Sequence, residues 1–245
     1  MIQQSEADPT GLSSELATVT TRAAQVRPQT SSDEPPPKTG ISECGRILGE
    51  RYSDVKLAQW VWSKDSAEAK RQQAVIDWLK RATELSADAK SAHLNNLTGN
   101  VVFVGPPGTG KDMLMAWLVR IAISEKKSVE WFNGPNLFAK TRDMIRDDAS
   151  EMEFLKRIRA LDLLCLSDPV PPGGKLETTH QVSWLYRVID ERYRACKPTF
   201  CTLNVYDGKE AEDKLTPQIW DRLIDGAHLV RCFWKSYRKQ TAVIG

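Results

Sequence analysis

The stretch VVFVGPPGTGKD, residues 101–112, decides how this chain is read. Val101 to Val104 form an apolar run of strand length. Gly105, Gly108 and Gly110 permit a tight loop, which Pro106, Pro107 and Thr109 fill out and Lys111 closes. The run MLMAWLVRIAI from Met113 then reads as a helix. Strand, glycine loop, lysine and helix, in that order, are what a phosphate-binding P-loop requires. Glycines let backbone N–H groups turn inward around an anion. The helix start adds its own unpaired N–H groups and positive dipole end. Lys111 is placed to reach the β- and γ-phosphates. One residue departs from the pattern, because Asp112 stands where Ser or Thr normally binds Mg²⁺.

Composition bounds the rest. A chain of 245 residues suits one domain with extensions or two small domains. Its net charge of +2 sets up no global basic field, so any DNA contact must come from a local patch. Five cysteines (Cys44, Cys165, Cys196, Cys201, Cys232) are scattered without a CxxC pair. That excludes an obvious disulfide framework or zinc site and suits a reducing, cytoplasmic setting. Three of the five lie in apolar, strand-like runs, where a small buried thiol is the default. The start, MIQQSEADPT, lacks the layout of a signal peptide. Met113 to Ile123 is too short to span a bilayer and contains Arg120. His93, His180 and His228 have no metal-ligand spacing.

Residues 1–40 contain no Trp, Tyr or Phe and five prolines, three of them at Pro35 to Pro37, and read as a disordered tail. Residues 41–98 read as a linker and a packing helix. That helix spans Ser66 to Leu85, with Ala74, Val75, Trp78, Leu79, Ala82 and Leu85 on its apolar face. Residues 99–245 read as the P-loop core, in which strands alternate with helices. Strands are expected at Val101–Val104, Val129–Phe132, Leu161–Leu166, Thr199–Leu203 and His228–Phe233. Helices are expected at Lys111–Ser124, roughly Asn136–Arg159, Thr179–Ala195 and Pro217–Ile224. This alternation predicts an α/β fold: a five-stranded parallel sheet sandwiched by helices. Ligands then bind at the carboxyl ends of the strands.

A P-loop binds phosphate, and hydrolysis asks for more parts. The strand LDLLCLSDPV, residues 161–170, has the apolar-then-acid layout that holds magnesium and water. The magnesium position falls on Ser167 and the water-orienting acid on Asp168. Asp112 and Ser167 have thus traded a hydroxyl for a carboxylate, and together with Asp168 they are the expected metal ligands. Plain decay of the site is the competing reading. Asn204, just past the fourth strand, can hydrogen-bond the γ-phosphate or the attacking water. Arg222 and Arg238 flank the fifth strand, and an arginine delivered to a neighbouring subunit's γ-phosphate requires an oligomer.

These parts resemble the AAA+ ATPases, most closely the bacterial helicase-loader and transposition-helper group (DnaC and IstB type). The resemblance is carried by GERYSDVKL, GPPGTGKD, LDLLCLSD, VIDERYRACKPTFCTLN, WDRL and FWKSYRK, over about residues 48–240. It implies ATP and Mg²⁺ as cofactors, with Gly105 through Asp112 binding nucleotide. It implies that Asp168 orients water, Asn204 is the first sensor, Arg222 the arginine finger and Arg238 the second sensor. The chain stops 12 residues after the fifth expected strand, so the helical lid of a full AAA+ module is expected to be absent or truncated. The implied partners are a replicative helicase or a transposase, single-stranded DNA, and further copies of this chain; no membrane is implied.

Lys140, Arg142, Arg146, Lys156, Arg157 and Arg159 cluster between the second and third strands and offer a DNA-facing patch. Asp143, Asp147, Asp148, Glu151 and Glu153 are interspersed and favour a solvated mixed-charge surface instead. Trp131 and Phe138 read as base-stacking candidates or, more simply, as core. The leading function is an ATPase accessory to DNA replication. The alternatives are a transposition helper, a nucleotide-binding scaffold without hydrolysis, and a small-molecule kinase.

Overall fold

A computed structural model describes residues 43–55, 64–83, 94, 97–147, 150–170, 174–176 and 178–238. The expected tail at 1–40 lies outside these residues. So does Leu85 of the expected packing helix.

Five short strands form one sheet: β1 (Val101–Val104), β2 (Val129–Asn133), β3 (Leu163–Ser167), β4 (Thr199–Leu203) and β5 (His228–Arg231). All pairings are parallel, in the order β2-β3-β4-β1-β5. Strands buried on both faces read as continuous apolar runs, and β1, β3 and β4 are buried at every residue. Helices cover both faces. On one side lie α1 (Glu43–Leu48), α2 (Glu50–Ser53), α3 (Ser66–Ala82) and α4 (Lys111–Ser124). On the other lie α5 (Gly134–Arg146), α6 (Glu151–Ala160), α7 (Thr179–Arg194), α8 (Gly208–Leu215) and α9 (Pro217–Ile224). Among the described residues no helix follows β5, and none is long and apolar enough to cross a membrane.

The helices begin where the local chemistry allows. Thr178 and Gln181 form a reciprocal capping box on α7. Asn133 caps α5 through the Asn136 amide, and Pro135 sits in its first turn. The helical stretches expected over roughly 136–159 are two helices, because Ser150 caps a new start through the Glu153 amide. α3 is rotated from the expected face. Gln72, Ile76, Leu79 and Thr83 are buried, Val75, Trp78 and Ala82 are half-buried, and Ala74 is exposed. β3 starts two residues later than expected. Asp162 lies before it, accepting from the Ser128 amide at 3.0 Å and the Ser128 hydroxyl at 2.8 Å.

Arg192 is fully buried at the end of α7. It donates to the carbonyls of Ile158 (2.7 Å), Leu161 (3.1 Å) and Pro198, and to the Thr199 hydroxyl (3.1 Å). One guanidinium thereby ties the end of α6 to the starts of β3 and β4. Burial pulls its pKa down to about 10, still far above neutral.

Candidate functional site

The register of the sheet brings the candidate residues together. Ser167 is the last residue of β3 and pairs with Thr202 in β4. Asp168 and Asn204 are the first residues past those strands. Asp112 lies in the first turn of α4, whose start Gly110 sets with a left-handed φ of 85°. All converge at the carboxyl end of the sheet, where such sheets bind ligands.

Lys111 is buried beneath the loop. Its Nζ donates to the carbonyls of Gly105 (2.8 Å) and Pro106 (2.7 Å) and to Asn204 Oδ1 (2.8 Å). Burial lowers its pKa, while Asp112 and Asp168 push it back up. The Asn204 amide in turn donates to Asp168 Oδ2. Lys214 holds the backbone here, donating to the Asn204 carbonyl at 2.9 Å. Asp168 adopts a left-handed φ of 47°, a conformation Asp tolerates better than most residues. Desolvation and then the neighbouring Asp112 raise its pKa, opposed by Lys111 and Lys214.

Asp112 Oδ1 accepts from the Ser167 hydroxyl at 2.9 Å and the Thr202 hydroxyl at 2.7 Å. The two residues that depart from the usual P-loop pattern are therefore hydrogen-bonded to each other. Thr202 joins them, and the sequence reading missed it. Two carboxylates and two hydroxyls form an all-oxygen donor set of the kind Mg²⁺ takes. Among the described residues no three His, Cys, Asp or Glu side chains gather as a metal cage. One or two carboxylates plus substrate phosphates is the usual way Mg²⁺ is held, so the residues present fit that ion.

The cavity at the loop also takes in Arg51, Tyr52, Tyr237 and Arg238. Arg51 and Tyr52 were not expected there from sequence; they stand some sixty residues from Lys111 and only folding reveals the contact. Tyr52 stacks on Trp131 with ring centroids 6.0 Å apart, and burial followed by Asp112 raises its phenol pKa. The segment after β5 straps the outer face of the loop. The Tyr237 amide donates to the Gly108 carbonyl at 2.7 Å, and Trp234 Nε1 to the Thr109 carbonyl at 3.0 Å. Gly105 has a φ of 147°, and a Cβ there would sit 2.4 Å from the Cys232 carbonyl oxygen. Gly134 is also forced: a Cβ would meet the Asp168 carbonyl oxygen at 2.7 Å. The cavity measures about 100 Å³, below the roughly 300 Å³ at which small-molecule pockets begin.

Arg222 lies elsewhere. Its Nε donates to Asp190 at 2.8 Å, an NH group donates to the Tyr186 hydroxyl at 3.0 Å, and the cation stacks 4.8 Å over the Tyr186 ring. The basic residues between β2 and β3 are largely matched. Arg146 contacts Asp143 and Asp147, Arg157 contacts Glu130, and Arg159 contacts Glu191. Lys140 stacks on Phe132 and Phe154, and Phe138 is buried core. Cys165, Cys201 and Cys232 are buried thiols, with burial raising all three pKa values.

Comparison with known proteins meets this geometry. A family model described as IstB-like ATP binding protein matches residues 72–244. The chain belongs to that family. It is also 26% identical over 153 residues to the "Replicative helicase loader DnaC" of Escherichia coli strain K12 and of Shigella flexneri. That alignment takes in 60% of this chain and 61% of theirs, so the match spans about three fifths of the relatives' length. Among solved structures, that of the DnaC helicase loader superposes with a TM-score of 0.58 at 18% identity, over 74% of this chain and 98% of the other. The DnaI structure gives 0.53 at 18% identity, over 76% and 91%. The replication initiator DnaA, bound to AMPPCP and single-stranded DNA, gives 0.53 at 16% identity, over 75% and 50%. The fold is the P-loop AAA+ fold, a five-stranded parallel sheet between helices.

Proposed function

We propose that this chain is an ATP-dependent accessory factor of DNA replication, which binds ATP with Mg²⁺ at the P-loop and acts on a ring helicase at single-stranded DNA. The observation that carries the nucleotide reading is the linked chain Lys111–Asn204–Asp168 beneath a glycine loop at the carboxyl end of the sheet. The helicase reading is supported by the named activity of the DnaC relatives. Lys111 would meet the β- and γ-phosphates. Asp112, Ser167 and Thr202, with Asp168, would hold Mg²⁺, which supplies charge neutralisation to the triphosphate. Asp168, kept partly desolvated and fixed by the Asn204 amide, would orient water. Arg238 lines the same cavity and suits a sensor of the bound nucleotide. Arg222 must leave Asp190 and Tyr186 to reach a neighbouring copy, so the finger role needs assembly.

A second reading, a nucleotide-binding scaffold without turnover, is favoured by one observation. The Ser167 hydroxyl donates to the Asp112 carboxylate, so the two groups expected to hold the metal already satisfy each other. ATP turnover and oligomer size, measured together with and without single-stranded DNA and Mg²⁺, separate the two. Phosphate release that rises with DNA, and is lost in Lys111→Ala, supports the ATPase. Retained ATP binding with no release supports the scaffold. Absence of ATP, ADP and GTP binding by folded protein overturns both. Co-sedimentation with a purified helicase or a transposase decides between the replication and transposition partners.

A further inference from the structure

The β5 edge of the sheet lies outside the nucleotide site. β5 pairs with β1 on one side, and no described strand pairs with its other side. The amides of His228 and Cys232 donate to the Asn100 and Val104 carbonyls at 2.8 and 2.7 Å. Alternation along the strand then turns the N–H and C=O groups of Leu229 and Arg231 outward, away from β1. An open row of this kind is a template for pairing with another strand.

The surroundings are built to receive side chains on both faces. On one side of the edge, Val75 and Trp78 of α3 wall a groove of about 710 Å³. On the other, Tyr206 and Trp220 wall a hollow of about 300 Å³. Leu229, Arg231 and Phe233 border both, and Leu229 is 41% exposed although apolar. Successive side chains of an added strand point to opposite faces, so each would fall into one apolar hollow or the other. Charge picks the occupant. Arg71 and Arg231 line the carboxyl end of this edge, with Arg71 fixed by donating to the Phe233 carbonyl at 3.0 Å. In the lining of the two hollows Asp207 is the one acid, and its carboxylate is turned to the Glu210 amide as the cap of α8.

We propose that this edge docks an extended, β-branched segment of a partner protein that ends in acidic residues, added as a parallel strand beside β5. The site is separate from the P-loop and does not rest on the nucleotide reading. Fluorescence anisotropy with the full chain and the labelled peptide VTVIVEE tests it, with VTVIVKK as the charge-reversed control. VTVIVEE should bind saturably and VTVIVKK at least about tenfold more weakly. Arg231→Glu should reverse that preference. Leu229→Pro removes an outward N–H on an edge strand, where proline is tolerated. It should weaken VTVIVEE about tenfold while ATP binding and the melting temperature hold. Equal binding of the two peptides, full binding to Leu229→Pro, or no saturation below about 1 mM would overturn the proposal. So would loss of self-association in Arg231→Glu without any peptide binding, which would assign the edge to a second copy of this chain.

Discussion

Replacing Asp112 by Asn is expected to remove most of the effect of withdrawing magnesium. Asp112 Oδ1 accepts from Ser167 at 2.9 Å and Thr202 at 2.7 Å. An amide oxygen in the same place keeps both bonds and removes the charge. In the wild type without metal, a carboxylate ~4 Å from a phosphate oxygen costs about 4 kcal/mol at an effective dielectric near 20, or about three decades of affinity. Asp112 is half-buried, so solvent weakens that repulsion. At an effective dielectric of ~40 the cost is about 2 kcal/mol, or roughly 30-fold. Chelation should therefore weaken ATP binding to the wild type by roughly 30- to 1,000-fold, and to Asp112→Asn by less than about fivefold. In chelator the variant should bind ATP more tightly than the wild type; in excess Mg²⁺ it should bind more weakly, having lost a ligand. Titration calorimetry with ATP under both conditions reads all four affinities. Equal wild-type affinity with and without chelator would refute the exchanged shell, as would a variant that loses as much as the wild type.

Lys111→Ala should lower ATP affinity at least about 100-fold, since it removes the cation nearest the phosphates. Its melting temperature without nucleotide should move by only a few degrees, because three lost hydrogen bonds are offset by relief of a desolvated ammonium. Arg192→Met should destabilise the fold by about 3 kcal/mol in urea titration, because it orphans three carbonyls and a hydroxyl inside the core. Asp162 has its pKa lowered to about 2, chiefly by the Ser128 amide and hydroxyl and secondarily by Lys197. A depressed carboxylate stabilises the fold above its unfolded pKa and loses that contribution as pH falls through the folded value. Asp162→Asn should therefore flatten stability between about pH 4 and pH 2. Because Asp162 is largely solvated, the contribution lost should be only about 1 kcal/mol. Chemical denaturation across that range would measure it.

Much of the fold was legible because its signals are local. β1, α4, β4 and α9 fall where apolar runs meet Gly, Pro or Lys at fixed spacing. α8 was missed because GKEAEDKL buries only Ala211 and Leu215, too few for a helical stripe to show. Its start is set by the Asp207 side chain on the Glu210 amide, a signal indistinguishable in sequence from a turn. The face of α3 was misjudged for a related reason. Gln72 and Thr83 are buried there, and Thr83 bonds back to the Leu79 carbonyl at 2.7 Å, so polar letters occupy core positions. Arg192 and Gly134 lay beyond sequence reading altogether. A buried arginine carries no pattern, and the glycine is required by the Asp168 carbonyl, 34 residues away along the chain.

The proposed metal shell shows why part of a site can be read and part cannot. Asp112 and Ser167 each violate a motif whose spacing is fixed, so each departure is visible alone, and opposite departures suggest one compensating pair. Thr202 violates nothing, because a threonine in a buried strand is ordinary. Its contact with Asp112 follows from register: it pairs with Ser167 across β3 and β4 and reaches the same carboxylate oxygen. If the exchange is compensating, it then has three members. Returning the pattern to the usual one with Asp112→Ser and Ser167→Asp puts the carboxylate on β3, directly beside Asp168, whose pKa burial and Asp112 already raise. The double variant replaces the repulsion from Asp112 by that of the new carboxylate, so the Asp168 pKa should stay raised unless Thr202 keeps a hydroxyl on that carboxylate. Adding Thr202→Val to the double exchange should cost more ATP affinity than adding it to the wild type. Equal costs would mean that Thr202 is a bystander and that the exchange involves two residues, not three.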